Sequence, residues 1–184
     1  PMNLIDLTVV PDSKTIPPEW AWWQFDINDV ITGKGDFMMG ITDATNPDLS
    51  RFLKFQNGRL IVYHGWADAL VAPQPTVDYY RAATDVTYDG NVEAMRETAR
   101  LFMVPGMAHC RGGAGPDTWD RLLPLVDWVE RGAAPDSIIA THSTGGVVDN
   151  ERPICAFPER AVYSGPSGGS GSPTNWIAEN FSCR

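Results

Sequence analysis

The feature that most constrains this chain is a short apolar run followed at once by a tight turn and a histidine. Leu101–Val104 is long enough for one buried strand, Pro105-Gly106 breaks it, and Met107–Cys110 follows. Enzymes with α/β folds commonly carry a titratable side chain on such a loop, at the carboxyl end of a buried strand. The stretch therefore predicts an α/β fold in which His109 is the histidine best placed for chemistry.

A second apolar run ends in a carboxylate. Residues Arg59–His64 are rich in aliphatic and β-branched side chains, which predicts a strand buried on both faces, and Gly65–Asp68 forms the loop after it. The carboxyl ends of parallel strands meet at one edge of a sheet, so we expect Asp68 and His109 to lie there. A carboxylate that accepts a hydrogen bond from one imidazole nitrogen fixes the tautomer, which leaves the other nitrogen free to accept a proton.

Helices are predicted between and around these strands, because strands that alternate with helices indicate a parallel sheet. Apolar spacing, prolines and glycines place the remaining elements as follows: an irregular lead-in over residues 1–18, helices over Glu19–Ile31, Leu49–Phe55 and Val92–Ala99, a helix beginning near Pro75, a helix over Trp119–Val129 with Pro124 in its first turn or at a kink and Gly132 as its cap, a strand over Ser137–His142, and few regular signals from Arg152 onward. Two or three strands do not complete a doubly covered sheet. We therefore expect the C-terminal portion of a larger α/β domain.

Composition narrows the possible partners. The chain has 184 residues, of which 43% are hydrophobic, so it can form a core, and its formal charge of -9 argues against nucleic acid or an anionic membrane surface as a partner. It contains no apolar run of about 18 residues, and Pro1–Leu4 lacks the features of a signal peptide. The cysteines are Cys110, Cys155 and Cys183. An odd count leaves one thiol free or bonded to another segment.

The nucleophile expected beside such a pair cannot be found in the chain. In α/β-hydrolases the acid also precedes the histidine along the chain, and the nucleophilic serine precedes both, in a Gly-x-Ser-x-Gly motif. No such motif occurs here, and both Ser143 and Ser167 follow the histidine. The sequence therefore predicts two members of a triad, Asp68 and His109, without the third.

Structural roles compete with catalytic ones at each of these positions. Asp68 and His109 could be ordinary turn residues, His64 at a strand end favours packing or hydrogen bonding, and His142 is most simply a surface or strand-end residue. A metal site built from His64, His109 and Cys110 matches no zinc spacing. The glycine-rich loop after Cys110 lacks the ending of a phosphate loop. We expect no metal or cofactor in this chain.

Several motifs in order resemble the tannase and feruloyl esterase family of α/β-hydrolases, roughly from residue 43 onward. They are Asn46-Pro47-Asp48-Leu49, Leu60-Ile61-Val62-Tyr63-His64-Gly65-Trp66-Ala67-Asp68, Val77-Asp78-Tyr79-Tyr80, Leu101–Cys110, Trp128-Val129-Glu130-Arg131-Gly132-Ala133-Ala134-Pro135 and Arg152-Pro153-Ile154-Cys155. The resemblance implies a serine carboxylesterase that acts on aromatic acid esters such as gallates, ferulates or phthalate-type esters.

The resemblance also implies roles for particular residues. Asp68 corresponds to the triad acid and His109 to the general base. Cys110 corresponds to a cysteine that is bonded to another one beside the nucleophilic serine, and Cys155 and Cys183 correspond to a structural disulfide. Disulfides imply an oxidising compartment, so the protein is expected to be secreted or periplasmic.

The chain departs from the family pattern because it contains neither the nucleophile motif nor a lid domain, where the family binds calcium. We expect residues 1–184 to be the C-terminal portion of one catalytic domain, inactive alone, and either a partial gene or a processed chain held to the rest through Cys110. The alternatives are a non-catalytic binding or scaffold remnant of a hydrolase domain, or another α/β-hydrolase activity such as thioesterase or amidase.

Overall fold

The structure, a computed structural model, describes Trp23, Asn28 and residues 44–165 and 176–184. The predicted lead-in over residues 1–18 lies outside that part of the chain, and so does the predicted helix Glu19–Ile31 apart from two of its residues. The chain divides into two units, residues 1–46 and 47–184. All the elements described below belong to the second unit.

Two parallel strands form the centre of this unit. Strand β1 (Leu60–Gly65) pairs along its whole length with strand β2 (Ala99–Val104). Every residue of β2 is buried, which the apolar run Leu101–Val104 predicts, and the burial also includes the charged Arg100. The prediction that β1 is buried on both faces is wrong, since Tyr63 is 38% exposed and only Gly65 is fully buried. Within the described residues β1 pairs with β2 alone, whereas Phe102 of β2 also forms a bridge with Ala156, so less of the surface of β1 is covered.

Two helices connect β1 to β2. Helix α1 spans Gln74–Tyr88 and helix α2 spans Val92–Arg96. The sequence predicts that α2 continues to Ala99. The helix ends earlier because the backbone groups that would continue it form hydrogen bonds with β1 instead. The N–H of Leu60 donates to the carbonyl of Thr98 at 3.0 Å, and Ala99 is the first residue of β2.

The two faces of β2 pack against different elements, because successive side chains of a strand point to opposite sides. Leu101 faces α1, α2 and a π-helical turn over Arg51–Phe55, which is shorter than the helix predicted there. Its buried neighbours on that side are Leu53, Val77, Tyr80, Ala83 and Met95. Phe102 faces the other way, toward Met107, Ile138, Ala140, Ile154 and Ala156. Burying a side chain of this size contributes about 1.5–3 kcal/mol before entropy costs are subtracted.

Helix α3 (Leu123–Arg131) follows the histidine loop. Of the two predicted places for Pro124, the structure confirms the first turn of the helix, where no N–H is required. Gly132 ends the helix with a left-handed φ of 72°. The helix begins later than the predicted Trp119, because Asp120 accepts hydrogen bonds from the N–H groups that open it.

The second face of β2 is covered by an antiparallel hairpin. Strand β3 (Ser137–Thr144) and strand β4 (Val147–Cys155) are joined by Gly145-Gly146, both with positive φ. The end of this hairpin reaches the central sheet, where Ala156 forms an antiparallel bridge with Phe102. The apolar run of β3 predicts its strand, whereas β4 has no equivalent prediction.

Short regular elements form after Arg152, where the sequence has few regular signals. Strand β5 (Ala161–Tyr163) pairs with strand β6 (Phe181–Cys183) in antiparallel orientation, although the two are distant in sequence. A disulfide between Cys155 and Cys183 fastens β6 to β4. In the described part of the chain, no helix is long and apolar enough to cross a membrane.

Candidate active site

The loop that follows β1 carries Asp68 and is attached to the loop that follows β2. The N–H of Trp66 donates to the carbonyl of Val104 at 2.9 Å, and the N–H of Ala67 donates to that of Met107 at 3.0 Å. These bonds are possible because parallel strands bring their carboxyl ends to the same edge of the sheet. The two loops are therefore held against each other by backbone contacts.

The loop that carries His109 is compact and internally bonded. Gly106 turns the chain with a φ of 75°, and the N–H of Ala108 donates to the carbonyl of Gly112 at 2.9 Å. Cys110 has a left-handed φ of 63°, which is uncommon for a residue with a side chain. The guanidinium of Arg121 donates to the Cys110 carbonyl at 3.1 Å. The sequence alone did not indicate this role for Arg121, whose guanidinium also lies 4.5 Å from the centroid of the Trp119 indole.

The structure brings Asp68 and His109 into direct contact. Nδ1 of His109 lies 2.9 Å from Oδ2 of Asp68. The Asp68 side chain is 4% exposed and that of His109 is 47% exposed, so the acid is enclosed while the imidazole reaches the surface. Because the ionised carboxylate can only accept, Nδ1 carries the proton and Nε2 is left with a free lone pair.

Backbone groups hold Asp68 in its ionised form. Its Oδ1 accepts the N–H groups of Leu70 and Val71, both at 2.9 Å. The hydrogen bond from Val71, with those from His109 and Leu70, keeps the pKa of Asp68 well below its usual 3.8, although burial acts in the opposite direction. The carboxylate is therefore available as a permanent negative charge beside the imidazole.

A second histidine also reaches Asp68. Nε2 of His64 lies 3.3 Å from Oδ2 of Asp68 and 3.1 Å from the carbonyl oxygen of Val71. Nδ1 of His64 lies 2.7 Å from Oγ1 of Thr76, in the first turn of α1. The sequence pattern favoured a packing or hydrogen-bonding role for His64, and nothing in it identified the aspartate as its partner.

The site opens into a small cavity of about 160 Å³. It is lined by Tyr63, His64, Gly65, Asp68, Val71, Met107, His109 and Cys110. None of these is a serine. Ser143 is an exposed residue of β3, and Ser167 lies outside the described residues. Where the structure describes the chain, no three His, Cys, Asp or Glu side chains are grouped so that they could hold a metal ion.

The remaining sequence-predicted residues are the three cysteines and His142. Cys110 is an exposed free thiol beside His109, whereas Cys155 and Cys183 are bonded to each other with their Cα atoms 5.6 Å apart. His142 is not part of the site. Its Nδ1 lies 2.6 Å from Oδ1 of Asp149, and both residues belong to the hairpin of β3 and β4.

Comparison with known proteins identifies the family. A family model described as "Tannase and feruloyl esterase" matches residues 24–183. The chain is 40% identical over 151 residues to mono(2-hydroxyethyl) terephthalate hydrolase of Piscinibacter sakaiensis, covering 78% of this chain and 24% of that protein. It is 32% identical over 169 residues to probable feruloyl esterase B-1 of Aspergillus flavus, covering 81% of this chain and 31% of that protein.

Solved structures agree with this assignment. An esterase from Aspergillus oryzae superposes with a TM-score of 0.74 at 26% identity, covering 91% of this chain and 35% of that one. Feruloyl esterase B from the same organism superposes with a TM-score of 0.69 at 26% identity, covering 90% of this chain and 34% of that one. The chain thus spans between a quarter and about a third of the length of these proteins. It has an α/β-hydrolase fold with an incomplete sheet, and it belongs to the tannase and feruloyl esterase family.

Proposed function

We propose that this chain supplies the acid and the general base of a serine carboxylesterase that hydrolyses aromatic acid esters. One observation carries the proposal: Nδ1 of His109 lies 2.9 Å from the enclosed carboxylate of Asp68, at the carboxyl ends of two parallel strands, with the imidazole exposed. Membership of the family, whose relatives include a terephthalate monoester hydrolase and feruloyl esterases, supports the substrate class.

In the proposed reaction, a serine from outside this chain lies against Nε2 of His109. Nε2 takes the hydroxyl proton as the serine oxygen bonds to the ester carbonyl carbon. His109 then returns the proton to the alcohol oxygen as the bond between that oxygen and the carbonyl carbon breaks. A water molecule, deprotonated by the same nitrogen, then bonds to the acyl carbon, and His109 returns the proton to the serine oxygen as the bond between that oxygen and the acyl carbon breaks and the aromatic acid leaves. Asp68 stays ionised and stabilises the imidazolium in both steps.

The proposal includes a disulfide from Cys110 to a cysteine beside that serine. An exposed thiol next to His109 supports this, because a bridge there would hold the serine within reach of Nε2. Together with the disulfide between Cys155 and Cys183, it implies an oxidising compartment, secreted or periplasmic. The calcium that the family resemblance implies would be bound outside this chain.

The test compares two histidines that each contact a carboxylate. In the protein expressed from its complete reading frame, His109→Gln should lower kcat for aromatic methyl esters by about 10³-fold or more. His142→Gln should leave it near that of the wild type, because His142 is hydrogen-bonded to Asp149 and, among the described residues, to neither Asp68 nor His109. Ester hydrolysis that survives His109→Gln would overturn the proposal.

Two further measurements separate the alternatives. A non-catalytic remnant would have no Gly-Cys-Ser-x-Gly-like motif upstream of Pro1 in the coding sequence. It would also show a free thiol at Cys110 when the unreduced protein is labelled under denaturing conditions. A thioesterase or an amidase would keep the serine but prefer the corresponding thioesters or amides of the same aromatic acids over the oxygen esters.

A further inference from the structure

We propose that Arg121 is a positioning residue of this site, which holds the histidine loop in the conformation that presents His109 to the serine. Its catalytic meaning rests on the proposed function, but the contacts that support it stand independently. Nη2 of the Arg121 guanidinium donates to the carbonyls of Cys110 and Asp117, at 3.1 and 3.2 Å. Cys110 follows His109 directly, so the first of these bonds fixes the backbone one residue beyond the general base.

The backbone of Cys110 requires such a contact. Its φ of 63° lies in the left-handed region, which is unfavourable for a residue with a side chain and persists only where the surroundings hold it. This conformation lies inside a closed turn, in which the N–H of Ala108 donates to the carbonyl of Gly112 at 2.9 Å. A change of Cys110 to a negative φ would open the turn and move His109, which the turn also encloses.

The segment that carries Arg121 is itself fastened to the fold. The N–H groups of Asp117 and Thr118 both donate to the carbonyl of Thr141 in β3, at 3.0 Å. The carboxylate of Asp117 in turn accepts the N–H of Gly112 at 2.6 Å. Arg121 therefore ties the histidine loop to a segment whose position is set by β3.

Two aromatic rings set the direction of the guanidinium. Cζ of Arg121 lies 4.5 Å from the centroid of the Trp119 ring and 5.5 Å from that of Tyr63. The two rings meet edge to face, with their centroids 5.3 Å apart, and Tyr63 lines the cavity of the site. A guanidinium is flat, so it can contact ring faces and still donate within its own plane, whereas a lysine ammonium has no such face. The arrangement therefore specifies arginine.

The experiment compares Arg121→Ala with Arg111→Ala in the protein expressed from its complete reading frame. Arg111 carries the same charge on the same loop, but its side chain makes no hydrogen bond or ring contact in the described part of the chain. Arg121→Ala should lower kcat for aromatic methyl esters by about 10- to 100-fold and change KM by less than about threefold, because a displaced base weakens the transition state and not ester binding. Arg111→Ala should keep the wild-type kcat.

Hydrogen exchange measured by mass spectrometry gives a readout that needs no activity. In Arg121→Ala, the amides of residues 105–116 should exchange about 3- to 10-fold faster, as expected for the loss of one hydrogen bond, whereas those of α1 should keep their wild-type rates. Unchanged exchange of residues 105–116, or an equal acceleration in Arg111→Ala, would overturn the inference. A wild-type kcat in Arg121→Ala would overturn it as well. Failure of the proposed function would instead appear in His109→Gln, which the exchange measurement does not involve.

If Arg121→Ala fails to fold, Arg121→Lys decides the question. Lysine keeps the charge of Arg121 but loses the flat face that contacts Trp119 and the reach of the guanidinium. Arg121→Lys should therefore also show faster exchange of residues 105–116 and a lower kcat. Wild-type exchange and a wild-type kcat in Arg121→Lys would overturn the inference, because a positive charge alone would then be sufficient.

Discussion

The backbone of Gly65 lies directly against the carbonyl group of Met107, at the point where the acid loop crosses the histidine loop. A Cβ built on Gly65 would lie 2.8 Å from the carbonyl oxygen of Ala108 and closer still to that of Met107. The same carbonyl of Met107 accepts the N–H of Ala67 at 3.0 Å. The distance between the two catalytic candidates therefore depends on the absence of a side chain at residue 65.

Gly65→Ala should accordingly damage both stability and activity. The methyl group meets backbone that cannot rotate away, so the free energy of unfolding should fall by about 1–3 kcal/mol. A loop displacement of about 1 Å would lower kcat on the order of 100-fold. Gly58→Ala is the matched control, because a Cβ there meets only the half-exposed ring of Phe52, which can turn aside. Denaturant unfolding and ester hydrolysis of both variants check this, and equal losses would contradict it.

Asp68→Asn should lower kcat on the order of 10³- to 10⁴-fold, because an amide in place of the carboxylate no longer selects the tautomer of His109. The control is Asp120→Asn. Asp120 also accepts two backbone N–H groups, from Leu122 and Leu123 at 2.9 and 2.8 Å, but it contacts no histidine in the described structure. Steady-state kinetics should show near wild-type kcat for Asp120→Asn. Similar losses in the two variants would mean that loop structure, and not the imidazole contact, is what Asp68 provides.

The stabilising effect of Asp68 should depend on pH in a defined direction. Its pKa in the folded protein lies below the usual 3.8, chiefly through the hydrogen bond from Val71, so folding favours the ionised form. The contribution is complete above the unfolded pKa and is lost as the pH falls from 3.8 toward the lower folded value. The difference in unfolding free energy between wild type and Asp68→Asn should therefore shrink as the pH is lowered below 3.8, toward the lower folded pKa. A difference that stays constant over this range would contradict the prediction.

Removal of the disulfide between Cys155 and Cys183 should lower the free energy of unfolding by about 3 kcal/mol, because the bond closes a loop of 28 residues. The double variant Cys155→Ala/Cys183→Ala can be compared with wild type by denaturant unfolding without reductant. The variant should also lose the sensitivity of unfolding to reductant that this bond confers. A stability equal to that of the wild type would show that the pairing of β5 with β6 holds the C-terminal segment by itself.

Local patterns in the sequence determined the centre of the fold and the positions of the two main site residues. The apolar run of β2, the turn at Pro105-Gly106 and the loop after β1 each depend on neighbouring residues. Because parallel strands must end at one edge, these patterns predict that Asp68 and His109 lie near each other. The boundaries of α2 and α3 were less predictable from apolar spacing. Strand pairing ends α2 earlier than this spacing indicates, and a carboxylate that accepts N–H groups delays the start of α3.

Only the tertiary structure decided which groups complete the site. His64 precedes Asp68 by four residues, yet the contact exists because the acid loop folds back over the end of β1 and α1 presents Thr76. Arg121 reaches the Cys110 carbonyl from the segment before α3. The C-terminal pairing of β5 with β6 likewise joins residues far apart in sequence. Such contacts depend on the path of the whole chain, whereas sequence patterns record mainly which residues are buried and where the chain turns.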